Sequence, residues 1–177
     1  MKIFLGLLAF LSGLALHAQQ RMVLDSDRSS VEYFAKHPAH KWSGTNKAPQ
    51  GIIEFVDSTP KRIAVKANLS GFDSKNANRD SNSLRVLKAL DYPEVRFYSE
   101  RISLNNMGKA ELLGYFELAG VQSPASVELD YINEDEFFKL EGTHKVDLSA
   151  FEVDLPRFLF KAIDSEIELK LSLFFVK

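Results

Sequence analysis

From Glu166 to Phe175 the chain alternates without a break: Ile167, Leu169, Leu171, Leu173 and Phe175 are apolar, while Glu166, Glu168, Lys170 and Ser172 between them are polar. Period-two alternation places every second side chain on one face of an extended chain, so the segment has one face for a core and one for water. The pattern recurs. Ile63, Val65, Ala67 and Leu69 alternate with Arg62, Ala64, Lys66 and Asn68, and Val127, Leu129 and Tyr131 with Ser126, Glu128 and Asp130. Phe138, Leu140, His144 and Val146 share one parity against Lys139, Glu141, Lys145 and Asp147. Further strands are expected at about 29–36, 50–56, 94–103 and 109–118.

The connections carry turn chemistry: Asp57-Ser58-Thr59-Pro60, Asn105-Asn106-Met107-Gly108, Gly120 to Pro124, and Asn133-Glu134-Asp135. Short turns make sequence neighbours antiparallel neighbours. About eight strands in sequential pairing fit an all-β, antiparallel up-and-down barrel, with a two-sheet sandwich as the competitor. Ten residues of the last strand span roughly 33 Å, or about 25 Å of barrel height once tilted. A barrel of this size is either filled by its own side chains or holds one ligand, and the alternation fits both.

One segment breaks the period. Leu84, Leu87 and Leu90 recur three apart, with Arg85 and Lys88 facing away, Asn78 or Asp80 available as a cap, and Pro93 barring continuation. A helix is therefore expected near 80–91. It and the long connection 148–163 are the two segments available to cover a barrel end.

Lys2 is followed by an apolar run from Ile3 to Leu16, broken only by Gly and Ser and ending in Leu-His-Ala. This is shorter than the roughly 20 residues of a membrane span and reads as a secretory signal peptide, 1–18, with cleavage after Ala18. Residues 19–177 form the mature domain, 159 residues, enough to bury about 70% of the unfolded surface in a single core. With no cysteine in the chain, neither a disulfide framework nor a lipid-anchored N-terminus is available. The signal takes one of the 22 basic residues, so 21 face 24 acidic ones, a net charge of −3 with no basic cluster. Nucleic acid is not an expected partner.

Catalytic chemistry finds little support: there is no Cys, no Gly-x-Ser-x-Gly elbow, and no His beside a Ser and an acid in a recognisable order. No cofactor or metal is implied. His37 and His40, beside Pro38 and Trp42, read as a polar loop shaping a barrel mouth, and His144 as an interior histidine or a headgroup contact. Asn78-Arg79-Asp80 is the sharpest polar cluster. Its residues can cap and brace the helix, or Arg79 can offer its donors to a headgroup. Phe158, Leu159 and Phe160 cannot all face one core, so some of them are expected to line an opening.

The order Phe72-Asp73-Ser74, Asn76-x-x-Arg79-Asp80, Leu84, then Tyr92-Pro93 and Phe97-x-Ser99 resembles the YceI-like family. Further matches are Leu24-Asp25, Ser29 to Phe34, Trp42-Ser43-Gly44, Gly120-Val121-Gln122-Ser123-Pro124 and the closing Ile167 to Phe175. Where the family continues Arg-Asp-x-His, this chain has Asn82. The resemblance implies a lipocalin-like barrel, periplasmic or secreted, that is not an enzyme and does not span the membrane. Its interior would hold a long-chain amphiphile, whether a polyisoprenoid, an isoprenoid quinone or a fatty amide. The alternative is a ligand-free structural or interaction barrel of the periplasm or cell exterior; a homodimer is compatible with either. On the binding reading the wall residues are Val65, Ala67, Leu69, Phe97, Phe116, Leu129, Tyr131, Phe138, Leu140, His144, Leu169 and Leu171, with Phe158 and Phe160 at the opening. Arg79 and Asn82 would read the headgroup.

Overall fold

The computed structural model describes residues 19–38, 40–158 and 161–177. The signal peptide expected at 1–18 lies outside the described residues, as do Phe160 and the side chain of Phe158. The strands are β1 (Gln19–Leu24), β2 (Ser30–His37), β3 (His40–Asn46), β4 (Gln50–Val56), β5 (Thr59–Asn68), β6 (Glu94–Leu104), β7 (Lys109–Leu118), β8 (Val121–Asn133) and β9 (Phe137–Asp147). The two-residue β10 (Arg157–Phe158) and β11 (Lys161–Ala162) and the long β12 (Glu166–Val176) follow, and helix α1 (Ala77–Val86) stands between β5 and β6.

Hydrogen bonds run β4-β5-β6-β7-β8-β9-β12, every pair antiparallel, and β1 closes the ring by pairing with both β4 and β12. β2 takes over from β1 along β12, opposite Glu168 to Ser172. At the handover Asp25 N–H donates to the Phe174 carbonyl at 2.8 Å, and Phe174 N–H donates to Ser29 Oγ at 2.9 Å. These bonds keep the β12 edge satisfied while Ser26–Arg28 form a single 3-10 turn. β1 with β2, and β4 with β3, are thus two bent staves; together with β5 to β9, less the helix, and β12 they make an eight-stave antiparallel barrel. The alternation was read from one face, and closure explains it: each strand has one side toward the axis. The sandwich is excluded by the β1–β12 and β1–β4 pairings.

The ends differ. The end bearing the turns at Asp57-Ser58, Asn105 to Gly108 and Asn133 to Glu136 is packed solid, with Ile53, Phe138 and Phe175 at zero exposure and Phe55 edge-on to Phe138 at 5.5 Å. The other end carries α1, the 148–163 connection and the β2–β3 hairpin.

Two expectations are corrected. The helix runs Ala77–Val86 rather than 80–91, and its cap is Asn76, whose Oδ1 accepts the N–H of Arg79 at 3.0 Å. It ends early because Lys88 adopts a left-handed φ of 53°, so the three-residue spacing is lost before Leu90, which is fully exposed. The β7–β8 turn is only Ala119-Gly120, both at positive φ, and the strand resumes at Val121 rather than after Pro124. Pro124 is tolerated because that part of β8 has β7 on one side and, among the described residues, no ladder on the other. The β8–β9 ladder covers only Asp130–Asn133 against Phe138–Glu141. Leu148 and Phe151, on the 3-10 turn that follows β9, are buried beside this seam.

Candidate functional site: an apolar cavity beneath the helix

Because the packed end stops below Leu173, the inward faces of the staves above it are left facing one another across open space. The result is a cavity of about 510 Å³ with an apolar wall. β5 contributes Ile63, Val65, Ala67 and Leu69; β12 contributes Ile167, Leu169, Leu171 and Leu173. Phe97 and Phe116, neighbours in the β6–β7 register, add a tilted ring pair with centroids 4.8 Å apart. Leu84 of α1, Leu87 at its C-cap, and Leu148, Phe151 and Leu155 of the connection border it from the open end. Both segments expected to cover a barrel end therefore do border the cavity.

The polar groups collect on one side of this mouth. Arg79 Nη1 lies 3.3 Å from both the carbonyl and the Oγ of Ser74, and its guanidinium sits over the Trp42 ring at 5.5 Å. Asp80 Oδ1 accepts the Ser74 N–H at 3.2 Å. Tyr33 is held above its ordinary pKa, first by burial and then by the Asp80 carboxylate, with Arg79, Trp42 and Ser74 pulling the other way. On the β5–β6 side Glu94 is held below the usual carboxylate range by hydrogen bonds from Lys66 and Arg96. The ion pairs measure 2.8 Å to Lys66 and 2.9 Å to Arg96, and Arg96 reaches Glu117 at 3.1 Å. His40 packs between His37 and Trp42, at 5.8 and 5.1 Å, on the tip and flank of the β2–β3 hairpin. Among the described residues no group of three or more His, Cys, Asp or Glu is placed to hold a metal.

Of the candidates named from the sequence, Val65, Ala67, Leu69, Phe97, Phe116, Leu129, Leu140, Leu169 and Leu171 border the cavity, as do Arg79 and Asn82 at its rim. Phe138 does not: it belongs to the plug, completely buried, with Tyr131 stacked on it at 6.1 Å and also away from the cavity. His144 stands behind Phe116, stacked on it at 5.7 Å, and burial lowers its pKa. Parity assigned these three to the inward face, but it carries no information on height along the axis, which takes Phe138 and Tyr131 into the plug, or on stacking, which sets His144, level with Leu169, behind the Phe116 ring. Trp42, Tyr33 and Ile63 border the cavity and were not among the candidates. Ile63 shares the parity of Val65 and was legible; Trp42 and Tyr33 reach the mouth only because β2 and β3 bend away from β1 and β4.

No helix among the described residues is long and apolar enough to cross a membrane. The structure of Burkholderia cenocepacia BcnA superposes with a TM-score of 0.76 at 17% identity, covering 85% of this chain and 98% of that one. A polyisoprenoid binding domain from Saccharophagus degradans, implicated in plant cell wall breakdown, gives 0.68 at 8% identity over 88% and 97%. Among sequences, a UPF0312 protein of Yersinia pestis (strain Pestoides F) is 26% identical over 129 residues, 70% of this chain and 67% of its own length. Residues 22–175, the whole barrel from the middle of β1 to the end of β12, match the model of the YceI-like domain, and the chain belongs to the YceI-like family.

Proposed function

We propose that this protein is an exported carrier that encloses the apolar tail of a single amphiphile in the upper half of its barrel. The observation that carries this reading is the cavity itself: about 510 Å³ left open above a plug of fully buried aromatic rings and walled by apolar side chains. A barrel serving only as a structural body would gain stability by extending that plug upward, because unfilled apolar volume forfeits dispersion contacts. The polyisoprenoid-binding domain from Saccharophagus degradans shares the fold and lends support by analogy. No reaction is proposed; the role is sequestration or transport. Val65, Leu69, Phe97, Phe116 and Leu169 would contact the tail, and the mouth beside Arg79 and Asn82 would face the headgroup.

On this reading the leader expected at residues 1–18 directs export, and the mature domain starts at Gln19. Localisation to the periplasm or medium is tested by N-terminal analysis of the exported product. The carrier reading is tested by mass spectrometry of an organic extract of protein purified from its natural host without detergent. A stoichiometric lipid is the expected result; a clean extract, together with no change in Trp42 fluorescence on adding any amphiphile, overturns it.

A further inference from the structure

The outer wall of the barrel carries an unbroken apolar row. Val23 of β1, Ile52 of β4, Ala64 of β5 and Tyr98 of β6 are direct partners in successive ladders, and Tyr115 of β7 and Pro124 of β8 continue the line. All alternate with buried inward residues and so face outward; Val23, Tyr98 and Tyr115 are 51, 37 and 54% exposed. Exposed apolar residues scattered singly are ordinary, but a row of them in register is a patch. The rows on either side are polar. On one side lie Arg21, Glu54 and Arg62, with Glu100 next in line beyond the Ile63–Ser99 pair; on the other lie Gln50, Lys66 and Arg96.

We infer that the β1-β4-β5-β6 wall is a self-association surface, on which a second copy of this chain docks about a two-fold axis running along the β4–β5 ladder. Such an axis reverses the order of the strands, so β4 of one copy meets β5 of the other, and β1 meets β6. Under that exchange the face complements itself in size. Ile52 meets Ala64 and Tyr98 meets Val23, a larger side chain against a smaller one each time. The wall is dished to receive them, with a shallow outer hollow between Val23 and Tyr98 floored by Gly51, Ile52 and Ala64.

The face complements itself in charge as well. Glu54 meets Arg62, Arg21 meets Glu100, and Gln50 meets Lys66. Within each copy Glu54 and Arg62 are already paired at 2.7 Å, so the two pairs close into a ring of four alternating charges. Arg21 and Glu100 make no ion pair among the described residues and gain one across the interface. An anionic bilayer is a poorer match, because Glu54, Glu94 and Glu117 neutralise Arg62, Lys66 and Arg96 and leave no surplus positive charge. Four strands about 4.8 Å apart and three outward rows about 6.7 Å apart cover roughly 20 by 20 Å, which buries about 800 Å² in total and is below the roughly 1,200 Å² of a stable complex. The dimer is therefore weak and concentration-dependent.

Sedimentation equilibrium of the exported protein over about 10 µM to 1 mM, the range that resolves a weak dimer, tests this. The native protein should pass from monomer to dimer and stop there, since a two-fold contact closes on itself. Arg21→Glu and Glu100→Arg each set like charges against one another at both ends of the interface; each alone should weaken dimerisation at least tenfold at unchanged Tm. An equimolar mixture of the two variants should dimerise like the native protein, because the mixed dimer matches opposite charges at both ends. Strands β4 and β5 separate Arg21 from Glu100 within one copy, so no internal contact can produce that rescue. Ala64→Arg, at the centre, should abolish association. Native protein that stays monomeric throughout overturns the proposal. So does a dimer that both charge variants leave intact, which puts the contact on another face, and so does a mixture no more dimeric than its components, which refutes the two-fold register. Monomeric native protein that co-sediments with phosphatidylglycerol vesicles, and no longer does so as Ala64→Arg, overturns it in favour of a membrane.

Discussion

The imidazole of His144 lies nearly parallel to the ring of Phe116, 19° between planes and 5.7 Å between centroids, although the two residues sit on β9 and β7 with β8 between them in the sheet. The stack spans the seam where β8 and β9 are not hydrogen-bonded, so it joins strands that the ladder leaves apart. Burial lowers the His144 pKa from its ordinary 6.5, which means that the unfolded chain binds the proton more readily than the folded one. Its contribution is therefore complete above about pH 6.5 and is lost as pH falls below that value. Urea midpoints should decline between pH 7.5 and 5.5 in the native protein and decline less in His144→Gln. An identical decline in both would assign the acid sensitivity elsewhere.

The two halves of the barrel should respond differently to truncation. Phe175 is fully buried in the plug, and Phe175→Ala should cost about 3 to 5 kcal/mol by leaving a void among packed rings. Leu169, six residues nearer the mouth on the same face of β12, already faces open space and is only partly buried. Leu169→Ala should cost less than about 2 kcal/mol in the ligand-free protein, since little new cavity surface is created. Denaturant melts of the two variants check this, and equal losses would mean that the cavity is filled in solution.

Arg79 is placed as a brace at the mouth. Its guanidinium joins the start of α1 to Ser74 and to the Trp42 face of β3. Arg79→Met keeps much of the aliphatic volume and removes both interactions, so stability should fall by about 2 kcal/mol, the low end of a charged hydrogen bond plus a partly exposed cation–π contact, as the 3.3 and 5.5 Å separations warrant. Thermal and urea melts with Arg79→Lys alongside test it: the lysine variant keeps the charge over Trp42 and should recover part of the loss. A Met variant as stable as the native protein would remove the brace.

The alternation from Glu166 to Phe175 was enough to find the strands because one face of each stave is dry and the other wet, and this two-way split is what period two records. The boundary of α1 was misplaced because Asn76, Asn78 and Asp80 are all competent caps; the choice fell to Asn76 through the β-bridge between Thr45 and Asp73, a contact between residues far apart in sequence. Val65, Leu69 and Leu169 were legible as inward-facing, yet nothing in the sequence separated them from Phe138, since the height at which aromatic rings interlock is set by the stagger between strands. Arg85 and Arg157, which also border the cavity, were invisible for a related reason. Arg85 lies in an ordinary polar stretch and Arg157 beside the apolar Phe158-Leu159-Phe160 run, and only the closing of the barrel brings the segments that carry them to one mouth.

Gly114 shows the same dependence on tertiary structure, with a sharp consequence. It pairs with Ser99 at a β-bulge, where Glu100 is the extra residue before Arg101 resumes the register against Leu113. Ser99, almost fully buried, lies with its Oγ 2.8 Å from the Leu113 carbonyl and accepts the Arg101 N–H at 3.2 Å, which holds the bulge shut. The backbone of Tyr98 is thereby pressed onto Gly114 so closely that a Cβ at this position would overlap the Tyr98 carbonyl oxygen. Gly114→Ala must push β6 from β7, and β6 carries Phe97, whose ring packs at a tilt against Phe116 in the cavity wall. The variant should lose about 2 to 3 kcal/mol, as overpacking against rigid backbone does, while Glu100→Ala, exposed on the bulge, should stay within about 0.5 kcal/mol. Urea unfolding of the pair measures the difference. If Gly114→Ala folds with native stability, β6 and β7 are not locked at the bulge, and the position of Phe97 in the wall is adjustable rather than fixed.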